Sequence, residues 1–374
     1  RGLRHVYNRH RTYTALLSLI LNIVAMASGQ GSDVELLFAG DAMQHQAQID
    51  AARRPDGTYD YSDCFRDVAP LIQSADFAVV NLETPVGSSG PYSGYPCFHA
   101  PASFVDALAD SGFDLFLTAN NHMLDRRSRG LKSTVDELNA RCIYHTGTYR
   151  DAAERAASQP LIIPVKGIRI GFLNYTYGTN GIEPDGGVVV DYIDRRRIAD
   201  DIALARKAGA EAIAVAVHWG DEYRLLPNQS QKSLADFLVG QGVDLIIGGH
   251  PHVIQPMEVV HSDKYDKDVL LVYSLGNFIS NMKTRDTRGG AFVRARLRRM
   301  PDGKVRFSGA DWQLHFTIPS GGGRNYHVVP ADSIDMPRWQ PHAREFRRAA
   351  CDIFHRHNVN VPPRKGEKNK TAQL

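Results

Sequence analysis

An α/β fold built on two β-sheets with helical covering is what the sequence predicts, and three observations carry the prediction. From Val34 onward, short β-rich runs alternate with stretches whose apolar residues recur at spacings of three and four. A second group of β-like runs lacks long helices between most of its members. Hydrophobic residues make up 43% of the 374 positions and charged residues 23%, ordinary for a globular chain and outside the disordered range. This length fits one large core with an appendage, or two domains.

The first segment stands apart from that fold. Arg1, Arg4, Arg9 and Arg11 precede an apolar run over 15–27 that closes on Ala25-Met26-Ala27, so residues 1–28 read as a secretory signal peptide. Asn22 interrupts the run, which is short for a membrane span, and two readings stand: cleavage, or retention as an N-terminal anchor. Either way the expected location is outside the cytoplasm, in the periplasm or cell envelope.

Residues 34–39, 77–80, 115–117, 212–217 and 245–247 read as strands, each ending at a polar cluster. Helical periodicity covers 65–73, 103–109, 131–138, 198–207 and 234–239. Such strand–helix repeats imply a covered sheet. The second group, 161–163, 169–174, 257–260, 269–273 and 291–297, reads as another sheet packed on the first. Within it Val293, Ala295 and Leu297 alternate with Arg294, Arg296 and Arg298, which predicts one buried and one solvated face. An arginine stripe that binds a polyanion is the competing reading. Beyond Arg299 motifs thin out, so a main domain over 33–299 and a C-terminal extension over 300–374 are expected. The extension holds a glycine loop at 320–324, a helix over 339–357 and a disordered, solvated tail over 362–374.

With 44 basic against 41 acidic side chains the formal charge is +3, so no nucleic-acid partner is expected. Cys64, Cys97, Cys142 and Cys351 show no metal-knuckle or redox spacing; disulfides and small buried thiols are both open readings.

Potential metal ligands fall at the ends of β-like runs: Asp41, Glu83, Asn121-His122, His218 and His250-Pro251-His252. Carboxyl ends of strands in an α/β sheet converge in space, so residues distant in sequence meet there. Carboxylate, amide oxygen and imidazole together suit zinc, manganese or iron. Singly, each residue has a bland alternative, since an Asp after a strand commonly caps a helix and a lone His commonly fills a core. No Ser-His-Asp order, P-loop or dinucleotide fingerprint competes.

Six blocks in order make the set specific: Gly40-Asp41, Asn81-Leu82-Glu83, Asn120-Asn121-His122-Met123-Leu124-Asp125, His218-Trp219-Gly220-Asp221-Glu222-Tyr223, Gly249-His250-Pro251-His252-Val253-Ile254-Gln255 and Tyr273-Ser274-Leu275-Gly276-Asn277-Phe278. Together they resemble the CapA capsule-synthesis family, also called the poly-gamma-glutamate synthesis family, over roughly residues 34–281. That family is related to the calcineurin-like metallophosphatases. The resemblance implies a four-layer α/β sandwich, two sheets between helices, with one or two divalent metal ions at one edge. It assigns Asp41 and His252 to a first metal, Glu83 to the bridging place, and Asn121, His218 and His250 to a second. His122 becomes the general acid or electrostatic stabiliser, with Asp125 orienting it.

Two departures from the related phosphatases bear on the first metal. Met43 stands where those enzymes carry His, with His45 close enough to replace it, and Glu83 stands for the usual Asp. A mononuclear site therefore stays open. Glu222 and Tyr223 read as pocket lining or loop capping, and Asn277 as support for a turn near the site. The stretch 87–101, with Tyr92, Tyr95 and His99, reads as a lid.

As function, the resemblance implies synthesis or export of an anionic capsule polymer such as poly-gamma-glutamate, by metal-dependent hydrolysis or transfer. The implied partners are the cell-envelope polymer or its precursor and membrane-bound capsule-synthesis proteins. A periplasmic metal-dependent phosphoesterase and a non-catalytic polymer-binding assembly module are the alternatives.

Overall fold

The computed structural model describes residues 33–334 and 336–365; the expected signal segment and the rest of the expected tail, from 366, lie outside the described residues. Parallel strands Val34–Ala42, Phe77–Leu82, Leu115–Leu117 and Tyr144–Thr146 form one half of an eight-stranded sheet. Its other half is antiparallel: Gly289–Arg299 pairs with Val34–Ala42, followed by Val305–Ile318 and His327–Pro330. Asn277–Ile279 lies parallel to the end of Val34–Ala42. The six-stranded sheet runs Met257–Ser262, Lys267–Val272, Leu245–Gly249, Ala212–His218, Ile168–Thr176, Leu161–Val165, with the middle four parallel.

Strand alternation distributes the apolar side chains to two faces of each sheet. Leu36, Phe38, Val79 and Leu115 of the first sheet share a core with Phe172, Ala214, Ile247 and Leu270 of the second. Leu37, Val80 and Phe116 face outward onto Phe104 and Leu108 of helix Ser103–Asp110. On the far side Leu173, Val215 and Ile246 meet Ile198 and Ile202 of helix Arg195–Lys207 and Leu234 and Leu238 of helix Gln229–Gly240. The result is helix, sheet, sheet, helix: the expected four layers. Each fully buried Leu or Phe contributes ~1.5–3 kcal/mol against exposure. Helix entries are set locally as well, since the Asp194 side chain accepts from the Arg197 amide, and Asn228 and Gln231 form a reciprocal capping box.

Sheet membership departs from expectation. The runs at 212–217 and 245–247, expected in the first sheet, build the centre of the second, and the run at 291–297, expected in the second, joins the first. Periodicity identifies a strand, but its neighbour is chosen by packing far away in sequence. Residue 299 ends strand Gly289–Arg299, and past a hairpin turn residues 305–318 and 327–330 continue the first sheet. The helix expected over 65–73 shrinks to Ala69–Gln73 because Pro70, lacking an N–H, sits at its first turn.

The solvated arginine face also needs correction. Arg294 is buried, donating to Glu35, to the Leu71 carbonyl (2.7 Å) and to Ser74 Oγ (2.7 Å). Arg296 pairs with Asp311 and Arg298 with Asp33, both at 2.6 Å, so the stripe's charge is met within the molecule. The first residues of the expected tail are ordered. After helix Gln340–His357, Val359 exchanges hydrogen bonds with Met257 and Val259 of the second sheet, while Pro362 and Arg364 flank Trp312 of the first. None of the four cysteines is joined in a disulfide. No helix among the described residues is long and apolar enough to cross a membrane.

Candidate metal centre

The parallel strands of both sheets end on the same edge, and polar side chains meet there. Asp41 sits within the last residues of Val34–Ala42, and His218 is the final residue of Ala212–His218. Glycines let these strands approach. A Cβ on Gly40 would collide with the Gly276 carbonyl, and one on Gly249 would stand 2.9 Å from Asp41 Oδ1. Beyond Gly249 the chain turns through His250 (φ 97°) and His252 (φ 57°), left-handed positions rare for non-glycine residues. The His250 amide donates to Asp41 Oδ2 (3.2 Å), which helps hold the turn against the first sheet.

All seven residues singled out as ligands or catalytic helper are almost fully buried. His218 Nε2 lies 2.9 Å from Asn121 Oδ1 and 3.5 Å from Glu83 Oε1. His252 Nδ1 lies 3.0 Å from Asn277 Oδ1 and 3.3 Å from Asp41 Oδ2, while its Nε2 faces Glu83 Oε1 at 3.8 Å. Donor atoms fall into two groups, Asp41–Glu83–His218 and Glu83–His250–His252, each within 4.8 Å, with Glu83 common to both. His122 belongs to neither; its Nδ1 meets Asp125 Oδ2 at 2.8 Å, and the same oxygen accepts from the Phe98 amide.

Electrostatically the cluster is frustrated as it stands. Burial, then the charge of Asp41, pushes the Glu83 carboxyl well above its usual range. Burial lowers His218 to about 3 and depresses His250 too. For Asp41 burial acts upward, but hydrogen bonds and charge from His252, with His218 and Asn81, hold the carboxyl below the ordinary value. His252, opposed by its own burial, is raised to about 9 by Glu83 and Asp41. Glu83 Oε1 and His250 Nδ1 are buried with no hydrogen-bond partner among the described residues. A divalent cation fits this set: it favours the ionised carboxylates and neutral imidazoles, and supplies the partner those atoms lack.

Sequence reasoning missed several contributors. Asn81 Nδ2 donates to Asp41 Oδ1 (2.8 Å), and Asn120 donates to Asn81 and to the Leu82 carbonyl. Strand period two puts Asn81 on the face of Glu83, a legible signal. Phe98 packs edge-on to His122 with centroids 4.6 Å apart, bringing the expected lid stretch beside that residue. Asn180, from a loop, meets both Asn121 and His122. Of the weaker candidates, Asn277 touches His252 directly. His45 has Nδ1 occupied by Gln48 and the Asn281 amide and stands outside both donor groups; burial lowers it to about 4. Met43 is buried. Glu222 and Tyr223 are exposed at the rim, Glu222 Oε1 4.0 Å from His252 Nε2.

Residues 35–282, well over half the chain and including every ligand candidate, match the family described as Bacterial capsule synthesis protein PGA_cap. The chain belongs to that family. This PGA_cap member is 27% identical over 302 residues to the PGA biosynthesis protein CapA of Bacillus subtilis (strain 168), covering 76% of the chain and 72% of the relative. It is 29% identical over 254 residues to the Capsule biosynthesis protein CapA of Bacillus anthracis, covering 63% of the chain and 57% of that relative. Among solved structures, Haemophilus influenzae NAD nucleotidase superposes with a TM-score of 0.49 at 11% identity, over 86% of this chain and 63% of that one.

Proposed function

We propose that this PGA_cap protein is an exported metal-dependent enzyme that processes an anionic cell-envelope polymer such as poly-gamma-glutamate, by hydrolysis or transfer. The observation that carries the reading is Glu83, buried, shared by two donor groups and left with one unpartnered oxygen. Asp41, Glu83, His218, His250 and His252 would hold one or two divalent ions, with the Asn121 oxygen beside His218. Bound metal supplies Lewis acidity toward an acyl or phosphoryl oxygen and an acidified water. His122, oriented by Asp125, stands outside the donor groups and serves as proton donor to a leaving group. The relatives' names, PGA and capsule biosynthesis, support the polymer class and the envelope location.

Elemental analysis tests the metal part. About one to two transition-metal ions per chain are expected in the purified protein, falling in His250→Ala and His252→Ala. A metal-free parent able to process polymer sinks the metalloenzyme reading. For catalysis, His122→Ala in the producing cell is expected to abolish polymer processing while the protein stays folded. Unchanged polymer would favour the binding module, and rapid chelator-sensitive turnover of simple phosphoesters would favour the phosphoesterase.

A further inference from the structure

At the mouth of the centre, one wall consists of two tyrosines and a carboxylate. Tyr177 follows strand Ile168–Thr176, its amide donates to the His218 carbonyl (3.0 Å), and its ring lies 4.6 Å from that of His250. Tyr223 is tied by its amide to the Pro251 carbonyl (2.8 Å), with its ring 6.3 Å from that of His252. Its φ of 64° is a left-handed conformation costly for an aromatic residue, and such strain gathers at ligand-binding positions. Both rings are about half exposed, at 49% and 55%, although each lies against a buried histidine. Between them in character stands Glu222, whose side chain is 41% exposed and whose Oε1 is 4.0 Å from His252 Nε2. No Lys or Arg among the described residues pairs with it.

The wall's chemistry is therefore one-sided. Glu222 supplies the wall's carboxylate, and the two tyrosines supply aromatic rings beside it. Aromatic faces are the negative side of the ring quadrupole, and with a nearby carboxylate they suit a compact cation. An anionic group has its complement at the metal positions, a few ångströms away, and not on this wall.

We propose that Tyr177, Glu222 and Tyr223 form a subsite for a primary ammonium group, and that the enzyme engages its polymer at the free amino end. The second clause rests on the polymer reading above; the first does not. An acidic chain carries one such cation, at its terminus, so the subsite places the terminal residue over the metal centre. It discriminates ends from interior segments, whose backbone amides are neutral.

The test uses metal-loaded full-length protein and two probe pairs. Binding of n-butylamine and n-butanol is followed by ligand-observed NMR, and titration calorimetry compares a short γ-linked glutamate oligomer bearing a free or an acetylated amino end. The free-amine oligomer is expected to bind about tenfold tighter than its acetylated form, a preference lost in Glu222→Gln and weakened in Tyr223→Ala. Metal content should be unchanged in Glu222→Gln, and a fall would reassign that carboxylate to the metal and overturn the subsite. Equal binding of both oligomers with no butylamine signal would also overturn it while sparing the polymer reading. Butylamine binding that depends on Glu222, without binding of either oligomer, would keep the subsite and reject the polymer.

Discussion

His122 and Asp125 were legible as a pair only through the family resemblance, which set the carboxylate to orient the imidazole. The two side chains lie 2.8 Å apart. Asp125→Asn can still accept from the Phe98 amide but cannot stabilise an imidazolium. It is expected to lower turnover by ~10²-fold with metal content unchanged, measured as polymer processing per mole of protein. Tyr177 and Asn180 were not legible, since they sit in or beside a loop whose path is set by partners far away in sequence. A second residue-scale prediction concerns His315, fully buried between Phe278 and Phe292 with both ring nitrogens unpartnered among the described residues. Burial lowers its pKa to about 3 from 6.5. Between those values the unfolded chain takes up a proton that the folded chain refuses, so stability is full above 6.5 and falls as pH drops toward 3. His315→Phe removes the penalty and the orphaned nitrogens. Its melting temperature should exceed the parent's, by a margin larger at about pH 5 than at about pH 8; equal margins would show that His315 finds a partner in solution.

At the scale of elements, most strands up to Arg299 were visible from β-rich runs, whereas Val305–Ile318, the longest, was not, and the sorting of strands into sheets was not legible either. Residues 212–218 are buried along their whole length, and such a run carries no mark of which sheet it enters. Most ligand candidates were legible for a complementary reason: strand ends are marked by the change from apolar to polar, and parallel strands bring those ends together. This dependence of site on strand makes Gly248 informative. A Cβ there would collide with the Tyr273 carbonyl and crowd Trp219 Nε1, itself bonded to that carbonyl at 2.8 Å. Gly248→Ala is expected to cost ~1–3 kcal/mol and to reduce metal content, because His250 and His252 hang from the end of this strand. Denaturant unfolding and elemental analysis check the two effects. A variant that keeps its metal while losing stability would uncouple strand packing from the site.

For the molecule as a whole, the segment after Gln340–His357 links the two sheets. Val359 bonds to the edge strand Met257–Ser262, and Trp312 Nε1 donates to the Val361 carbonyl (3.2 Å) before Pro362 and Arg364 bracket the Trp312 backbone. The sequence hid this, because a short polar and proline-containing stretch looks like a tail until its backbone groups find partners. Ending the chain after residue 357 is expected to destabilise it by a few kcal/mol, at ~0.5–1.5 for each hydrogen bond lost, and to lower the melting temperature. An unaltered melting curve would deny the segment any fastening role.

That fastening also sets a schedule. A ribosome delivers both sheets before it delivers residues 358–364, so until these emerge Trp312 keeps a bare flank and the edge strand Met257–Ser262 lacks partners for Met257 and Val259. The sheets are fastened together only once these residues are in place, and a chain that stops short of them leaves those flanks open to proteases and aggregation.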